Sequence, residues 1–510
     1  MNQAAITVDS GFRVAEVDPR LFGSFVEHLG RCVYEGLYEP SHPSADAAGF
    51  RGDVAELVRE LGVPVLRYPG GNFVSAYTWE DGIGPVDERP VRLDLAWRSL
   101  ETNRVGVDEF APWCQTVGSA PMMAVNLGTR GVDEARALVE YCNVPSGTAW
   151  SDLRRRNGAA DPYDIKLWCL GNEMDGPWQI GHKSAREYGR LAASTGIAMR
   201  RVDPTIELVA CGSSYMSMPT FSTWERTVLE ECYQVADYVS MHSYYEQRGD
   251  DRDSFLGSAV QLDRFIDSCV ATCDHVRAVG RHTKRMNLAL DEWNVWYQRR
   301  FRGEESMRMV EAPHLFEDAY NVTDAVVVGD LLITMMRHAD RLHIGCLAQL
   351  VNAIAPIQTV TGGAAWRQTT FHPFALTSRY GRGTVLRVEP KAPVMDTSWL
   401  GEIPALDATA VHDEETGVVT VFAVNRNRHE PVNLAVDVRS FPELVIASTV
   451  ALFDDDPDAF NSAARPDRVA PRTLDETKVE DGRFDAVLPP LSWNMIRLLP
   501  EQAPTGQTGR

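Results

Sequence analysis

The stretch IKLWCLGNEMD, residues 165–175, joins a short apolar run to a polar end. Its first six residues are apolar apart from Lys166, and Asn172 and Glu173 follow almost directly. A near-continuous apolar run of this length is typical of a parallel strand that is covered on both faces. The later segment Ser184–Arg200 carries apolar residues at three- and four-residue spacing, which predicts an amphipathic helix with Ser184 as its N-cap. The stretch therefore indicates one strand–helix unit.

The same unit recurs along the first three quarters of the chain. Seven further apolar runs have this character: Leu21–His28, Val63–Tyr68, Pro121–Asn126, Ile206–Cys211, Tyr238–His242, Met286–Asp291 and Ile344–Val351. Amphipathic stretches lie between several of them, at Asp53–Leu61, at Val132–Tyr141 with Asp133 as a candidate N-cap, and at Thr223–Val235. Eight such units predict an α/β fold, a (β/α)8 barrel over residues 19–385. An open doubly wound sheet is the alternative, disfavoured because no glycine fingerprint follows the first strand.

The character of the sequence changes near residue 390. Helical periodicity fades, and short strand-like runs appear, for example Val418–Val424 and Val432–Val438, separated by Gly, Pro, Asn and Asp. This pattern predicts a jelly-roll-like, all-β sandwich over residues 386–502. Residues 1–18 include the strand-like stretch Ala5–Val14, which we expect to join the sandwich. Residues 503–510 are expected to form a disordered tail.

Charge and composition exclude several classes of function. The chain has 510 residues with 50 Lys+Arg against 71 Asp+Glu, a net charge of −21, which argues against a nucleic-acid binder and against an anionic membrane surface. It contains no apolar run long enough to span a membrane, and its first residues lack the basic and apolar regions of a signal peptide. Nine cysteines without zinc-type spacing predict reduced thiols in a cytoplasmic protein. No metal-binding or nucleotide-binding motif is present, so we expect neither metal nor cofactor.

Polar side chains follow the predicted barrel strands at their carboxyl ends, where barrel active sites lie. They are Glu27, His28, Arg67, Asn72, Asn126, Asn172, Glu173, Ser213, Ser214, His242, Tyr244, Asp291, Glu292, Asn294, Gln349 and Asn352. This set combines carboxylates, amides and aromatic rings with few cations. Such a composition favours a neutral, hydroxyl-rich ligand and disfavours a phosphate-handling barrel.

Two carboxylates in this set suggest a reaction. Glu173 follows the fourth strand and Glu292 follows the seventh, so both can face one ligand across the barrel mouth. Glycoside hydrolysis requires such a pair, one to protonate the leaving oxygen and one to attack the anomeric carbon or activate water. Either residue alone could equally be a helix cap or a salt-bridge partner, and Asp291 could pair with Arg67.

Aromatic and histidine side chains near the mouth allow two interpretations. His242 could be an ordinary buried histidine, but its position two residues before Tyr244 favours a role in supporting the site. Trp97 could be a core residue, whereas Trp178 and Trp296 lie in polar segments and are better interpreted as stacking surfaces for sugar rings. These residues leave open a glycosidase, with a β-xylosidase or endoglucanase among the candidates, and a non-catalytic sugar-binding protein on the same barrel.

Several long motifs occur in order along nearly the whole chain. They are YPGGNFVSAYTWEDGIGP from Tyr68, RLDLAWRSLETN from Arg92, MMAVNLGTRG from Met122, WCLGNEMDGPWQIGH from Trp168, DEWNVWY from Asp291 and CLAQLVNAIAPI from Cys346. Together they resemble glycoside hydrolase family 51, the intracellular-type α-L-arabinofuranosidases.

The resemblance implies a retaining, exo-acting enzyme on a (β/α)8 barrel with a β-sandwich, without a metal. It implies Glu173 as the acid/base and Glu292 as the nucleophile. It also implies that Glu27, Asn72, Asn172, Tyr244 and Gln349 bind the arabinofuranosyl ring, and that Trp97 and His242 line the same pocket. The expected partner is an arabinose-containing oligosaccharide, and the expected assembly is a hexamer.

Overall fold

The computed structural model describes residues 2–441, 443–474 and 478–501. Its strands in chain order are β1 (Asn2–Thr7), β2 (Arg13–Glu16), β3 (Gly23–Phe25), β4 (Val65–Tyr68), β5 (Arg92–Leu93), β6 (Leu100–Glu101), β7 (Ala120–Ala124), β8 (Leu167–Leu170), β9 (Glu207–Ala210), β10 (Tyr238–Tyr245), β11 (Asn287–Val295), β12 (Leu342–Ala348), β13 (Ile357–Thr359), β14 (Ala365–Arg367), β15 (Thr384–Leu386), β16 (Val394–Thr397), β17 (Gly401–Pro404), β18 (Leu406–Asp413), β19 (Val418–Asn425), β20 (Val432–Asp437), β21 (Leu444–Leu452), β22 (Arg472–Thr473), β23 (Arg483–Leu488) and β24 (Ser492–Pro500).

The α-helices are α1 (Gly52–Leu61), α2 (Val107–Val117), α3 (Val132–Asn143), α4 (Ala149–Arg156), α5 (Ala185–Val202), α6 (Thr223–Cys232), α7 (Arg252–Leu256), α8 (Ser258–Gly280), α9 (Val322–Arg337) and α10 (Phe371–Tyr380). In the described ranges, none of these helices combines the length and the apolar character that crossing a membrane requires.

The predicted barrel is confirmed. Strands β3, β4, β7, β8, β9, β10, β11 and β12 pair in that order, each parallel to the next, and β12 pairs with β3 to close the barrel. Each strand overlaps one of the eight apolar runs. Their carboxyl ends therefore meet at one mouth, as the barrel architecture requires.

The helix boundaries follow from their caps. Ser184 is the N-cap of α5, as predicted, and its side chain accepts a hydrogen bond from the Glu187 amide. Asp133 is not the N-cap of α3, so that prediction is wrong. Gly131 takes this position, and the Glu134 carboxylate accepts a hydrogen bond from the Gly131 amide, so a capping acid is supplied from inside the helix.

The second part of the chain forms two facing sheets. One contains seven strands in the order β2-β15-β18-β19-β24-β21-β22, and the other contains β1, β20 and β23. Apolar side chains from both sheets, among them Ile6, Val421, Leu434 and Ile496, form a core separate from that of the barrel. The N-terminal β1 lies parallel to β20, and β2 lies antiparallel to β15, which begins at Thr384. The tail predicted for residues 503–510 lies outside the described residues.

Helix α9 of the barrel packs against this sandwich. It packs against β18, β19 and β24, and a Cβ added at Gly329 would lie 2.2 Å from Trp493 Cδ1, so only glycine permits this close approach. Within the interface Asp330 accepts a hydrogen bond from Arg426 Nε at 2.8 Å, and Asp407 accepts one from Arg426 Nη2 at 2.9 Å. The two parts therefore share a buried ionic contact.

Candidate active site

A cavity of about 630 Å³ opens at the carboxyl ends of the barrel strands. Nine of the eleven residues predicted for the site line it: Glu27, Asn72, Trp97, Glu173, Trp178, Tyr244, Glu292, Trp296 and Gln349. The other two do not line it: His242 contacts Glu173 directly, and Asn172 contacts Arg67, which in turn binds Glu292. The predicted residues come from seven separate parts of the sequence and converge on one concave site, the usual form of a small-molecule site.

Glu173 follows β8 directly in the mouth. Its backbone φ of 43° lies in the left-handed region, which is uncommon for a residue with a side chain and is typical of functional positions. Trp178 Nε1 donates to Glu173 Oε2 at 2.5 Å, and His242 Nδ1 lies 2.9 Å from Glu173 Oε1. Burial raises the pKa of Glu173 above its ordinary value, and the negative charge of Glu292 acts in the same direction. This carboxyl group is therefore suited to hold a proton.

Glu292 lies within β11 and is surrounded by donors. Arg67 Nη1 donates to Glu292 Oε1 at 2.7 Å, and the Tyr244 hydroxyl donates to Glu292 Oε2 at 2.8 Å. Arg67 also makes an ion pair of 3.2 Å with Asp291, and the proximity of Arg67 and His242 outweighs burial and lowers the pKa of Asp291. These hydrogen bonds from a guanidinium and a phenol hold the Glu292 carboxylate in a defined orientation at the cavity wall.

His242 contacts the carboxylates of Glu173, Asp291 and Glu292. It lies opposite Glu292 in the β10–β11 register, with Nδ1 3.4 Å from Glu292 Oε2 and Nε2 3.3 Å from Asp291 Oδ1. Burial alone would lower the pKa of His242, but Glu292, Asp291 and Glu173 together raise it well above its ordinary value. A positively charged imidazole is therefore the form that this environment favours.

The two glutamates are close enough to act on one bond. One carboxylate oxygen of Glu173, one of Glu292 and a ring nitrogen of His242 all lie within 4.8 Å of one another. Three such atoms could in principle ligate a metal ion. Here the imidazole of His242 already contacts the carboxylates of Glu173 and Glu292 directly, so hydrogen bonds and shared protons hold these three side chains together.

Glu27 lies at the opposite side of the cavity, at the end of β3. Its carboxylate accepts hydrogen bonds from the Phe73 amide, from Trp97 Nε1 at 2.9 Å and from Gln349 Nε2 at 2.9 Å. Burial and the charge of Glu292 raise the pKa of Glu27 to about 8. A Cβ at Gly71 would lie 2.1 Å from Glu27 Oε2, so the Gly70-Gly71 turn allows the backbone to pass close to this carboxylate.

The two asparagines predicted for the site differ. Asn72 is half-buried in the wall, and no hydrogen bond of its side chain to another described residue is found, so its amide is available to a ligand. Asn172 is fully buried, where its Oδ1 accepts a hydrogen bond from Arg67 Nη2 at 2.7 Å and its Nδ2 points to Gln179. Direct ring binding by Asn172 stays a prediction.

The prediction from the carboxyl ends of the strands did not include every residue of the cavity wall. Tyr215, Gln298 and Phe316 also line the cavity, and Gln298 Nε2 donates to the Tyr215 hydroxyl at 2.9 Å. Tyr215 directly follows Ser213 and Ser214, so reading one residue further past the fifth strand would have found it. Gln298 and Phe316 come from the long segment after β11, for which the sequence gives no comparable positional rule.

Comparisons with known proteins show which family the chain resembles. Residues 57–264 match the family described as "Alpha-L-arabinofuranosidase 1 domain", and residues 291–492 match "Alpha-L-arabinofuranosidase C-terminal domain". A Streptomyces lividans protein named intracellular exo-alpha-(1->5)-L-arabinofuranosidase is 58% identical over 98% of this chain and 75% of its own length. A Bifidobacterium longum protein named exo-alpha-(1->6)-L-arabinofuranosidase is 49% identical over 98% of both chains.

A solved structure extends the likeness to the fold. The family 51 α-L-arabinofuranosidase AbfB of Bifidobacterium longum superposes with a TM-score of 0.94 at 46% identity, covering 98% of this chain and 99% of that one. The barrel, its paired carboxylates and these matches define a glycoside hydrolase. More specifically, the chain belongs to the family 51 α-L-arabinofuranosidases.

Proposed function

We propose that this protein is a retaining, exo-acting α-L-arabinofuranosidase that releases terminal arabinofuranosyl residues from arabino-oligosaccharides. The observation that carries the mechanism is the approach of Glu173 and Glu292 to within 4.8 Å at the cavity. Retaining glycosidases hold their carboxyl groups about 5–5.5 Å apart, whereas inverting enzymes need roughly 6.5–9.5 Å to admit a water molecule.

In the first step Glu292 attacks the anomeric carbon while Glu173 donates its proton to the leaving oxygen. The bond from the anomeric carbon to that oxygen breaks, and an ester to Glu292 forms. Arg67 and Tyr244 support this assignment, because their hydrogen bonds hold the Glu292 carboxylate in a fixed orientation. The raised pKa of Glu173 supports its role as the acid.

In the second step Glu173 removes a proton from water, which attacks the anomeric carbon and frees Glu292. Glu292 carries no charge while it is esterified, so its contribution to the raised pKa of Glu173 disappears. Glu173 then releases its proton more readily and becomes an effective base. One residue thus serves as acid and base in turn.

Binding of the terminal sugar is proposed for the side chains around Glu27. Glu27, Asn72 and Gln349 offer hydrogen bonds to ring hydroxyls, and Trp178 and Trp296 offer indole faces to C–H surfaces. Asn172 and His242 would then act from behind the wall, Asn172 through Arg67 and His242 through both glutamates. A β-xylosidase or endoglucanase on this barrel is less well supported, since the close relatives are named arabinofuranosidases.

Three further properties are proposed, two from the names of relatives and one from the family resemblance. The Streptomyces lividans relative is named intracellular, and we propose a cytoplasmic location for this protein also. A hexamer is proposed from the family resemblance, and light scattering coupled to size-exclusion chromatography would measure the mass directly. Because the relatives differ in the linkage in their names, we propose α-1,5-linked arabinan fragments as the main substrate, following the more similar one.

Proton NMR of the reaction at its first minutes tests the function. With 4-nitrophenyl α-L-arabinofuranoside, the first arabinose formed should be the α-anomer, before mutarotation yields the β-anomer. The corresponding β-D-xyloside is the control and should be hydrolysed far more slowly. Initial release of β-arabinose would contradict retention, and preferential turnover of the xyloside would contradict the substrate assignment.

A further inference from the structure

A second cavity, of about 500 Å³, adjoins the first. Four side chains line both cavities: Tyr215, Tyr244, Trp296 and Gln298. The two spaces are therefore separated by a ridge that is a single layer of side chains thick. A volume of this size lies within the range of small-molecule sites, about 300–1,000 Å³.

The second cavity lies on the side of the catalytic pair from which a leaving group departs. The leaving oxygen must reach Glu173, and Trp178 donates a hydrogen bond to this residue. Trp178 in turn contacts Tyr215 edge to face, with ring centroids 5.8 Å apart. Tyr215 belongs to the ridge, so the direction from Glu173 past Trp178 leads towards the second cavity.

The far wall carries an aromatic ring and an unpaired guanidinium. Trp399, at the tip of the β16–β17 hairpin, is 45% exposed, and the Arg248 guanidinium stacks over it with its carbon 3.4 Å from the ring centroid. No hydrogen bond or ion pair of the Arg248 side chain to another described residue is found, so its N–H groups are available. An apolar face beside free donors matches the C–H surface and hydroxyls of a sugar.

The hairpin that presents Trp399 is held firmly against the barrel. Ser398 Oγ donates to the Asp251 carboxylate at 2.5 Å, and a Cβ at Gly257 would lie 2.6 Å from Leu400 Cδ1. The residues before and after Trp399, Ser398 and Leu400, both contact the barrel and thus fix the position of the indole. A fixed ring loses little conformational freedom on binding, which makes it an effective contact.

We propose that the second cavity binds the sugar units beyond the scissile bond of a longer arabino-oligosaccharide, with Trp399 and Arg248 as its main contacts. This inference rests on the proposed function. The substrate would cross the ridge formed by Tyr215, Tyr244, Trp296 and Gln298. Its terminal sugar would then lie against Glu292, and its third and later sugar units against Trp399. Longer substrates would then bind more tightly than short ones.

Substrate length provides the test. The ratio kcat/KM is measured for 4-nitrophenyl α-L-arabinofuranoside, which occupies only the first cavity, and for α-1,5-arabinotetraose, in wild type, Trp399→Ala and Arg248→Ala. For the tetraose each variant should lose about five- to tenfold, chiefly through KM, because Trp399→Ala removes a stacking surface and Arg248→Ala removes hydrogen-bond donors. For the aryl glycoside both variants should stay within about twofold of wild type.

Two control variants make the comparison specific. Trp399→Phe retains an aromatic face and should keep most of the activity on the tetraose. Phe12→Ala removes an aromatic side chain of the sandwich that is more exposed than Trp399 and should change the hydrolysis of neither substrate. Equal losses on both substrates, or no loss on the tetraose, would overturn the inference. A wild-type protein that hydrolyses neither compound would contradict the proposed function, which distinguishes the two failures.

Discussion

Two buried ionic networks in this protein differ in what their side chains contact. At the barrel mouth, Arg67 and His242 face three carboxylates, Asp291, Glu292 and Glu173. At the junction of barrel and sandwich, Arg426 and Arg337 also face three, Asp330, Asp407 and Asp263. The junction network joins helix α9 to the sandwich strands, whereas the mouth network carries Glu173 and Glu292 on the wall of the cavity.

The position of the mouth network gives it a different property. Burial raises the pKa of Glu173, with Glu292 acting in the same direction, and burial also raises the pKa of Asp330 to about 7, but of these two acids only Glu173 lies on the wall of the cavity at the barrel mouth. A network between packed elements holds them in place, whereas a protonated acid on a cavity wall can exchange its proton with a ligand. The comparison thus separates a structural network from a chemical one, and removal of single residues can test the distinction.

Glu292→Ala should have the largest effect on activity. Loss of the attacking carboxylate should reduce kcat/KM by on the order of 10⁴-fold or more for every substrate, because no other group can form the ester. The thermal midpoint should change little, since Asp291 still pairs with Arg67. Initial rates and a melting curve on the same preparation check both statements, and substantial turnover of the aryl glycoside would exclude Glu292 as the nucleophile.

Glu173→Ala should have a smaller effect that depends on the leaving group. A nitrophenolate departs without acid assistance, so ester formation survives, while oligosaccharides should lose about 10²–10⁴-fold. Added azide should restore turnover of the aryl substrate and give the α-arabinofuranosyl azide, because azide replaces water in the second displacement. Glu173→Gln serves as the near-isosteric control. Unchanged rates on oligosaccharides would remove Glu173 from the role of acid.

Arg426→Ala tests the junction network and should affect stability instead of chemistry. The variant leaves Asp330 buried without its partner, a change that typically costs about 3–5 kcal/mol. Its kcat on the aryl glycoside should remain near wild type at low temperature. Arg428→Ala, which removes a partly exposed pair with Asp253, is the matched control and should cost about 1 kcal/mol or less. Equal melting temperatures for the two variants would contradict the structural role.

His242→Gln should alter the pH dependence of kcat/KM. Activity falls at high pH as Glu173 loses its proton, and the hydrogen bond and charge of His242 lower the pKa of Glu173. Their removal should therefore raise that pKa and move the alkaline limb to higher pH. If the alkaline limb of the kcat/KM profile of His242→Gln stays at the wild-type pH or moves to lower pH, His242 does not control the protonation of Glu173.

The sequence alone predicted the barrel and most of the candidate wall. Apolar runs define the strands, and the convergence of strand ends brings Glu27, Glu173, Glu292 and Gln349 to one cavity. It did not predict the direction of each side chain: Asn172 also follows a strand, yet its amide is occupied by Arg67. Rotamers depend on neighbours that are distant in the sequence, and strand periodicity does not encode them.

The sequence also did not predict contacts between loops that are distant along the chain. Trp399 belongs to a stretch interpreted as sandwich, and only the folded chain places it over Arg248 beside the barrel mouth. Neither residue lies at a strand end, so no positional rule selects it. The Asp133 error has a different, local origin, because the Glu134 carboxylate three residues after Gly131 caps α3 from within the helix.

The most direct test of the account is to identify the carboxylate that forms the covalent intermediate. Wild-type protein is treated with an arabinofuranose-configured cyclophellitol aziridine, which esterifies the attacking carboxylate, and the labelled peptide is mapped by mass spectrometry. The account predicts one label per chain, on Glu292, and none in Glu292→Ala. A label on Glu27 or on Asp291 would contradict the assignment of the nucleophile and the two-step mechanism built on it.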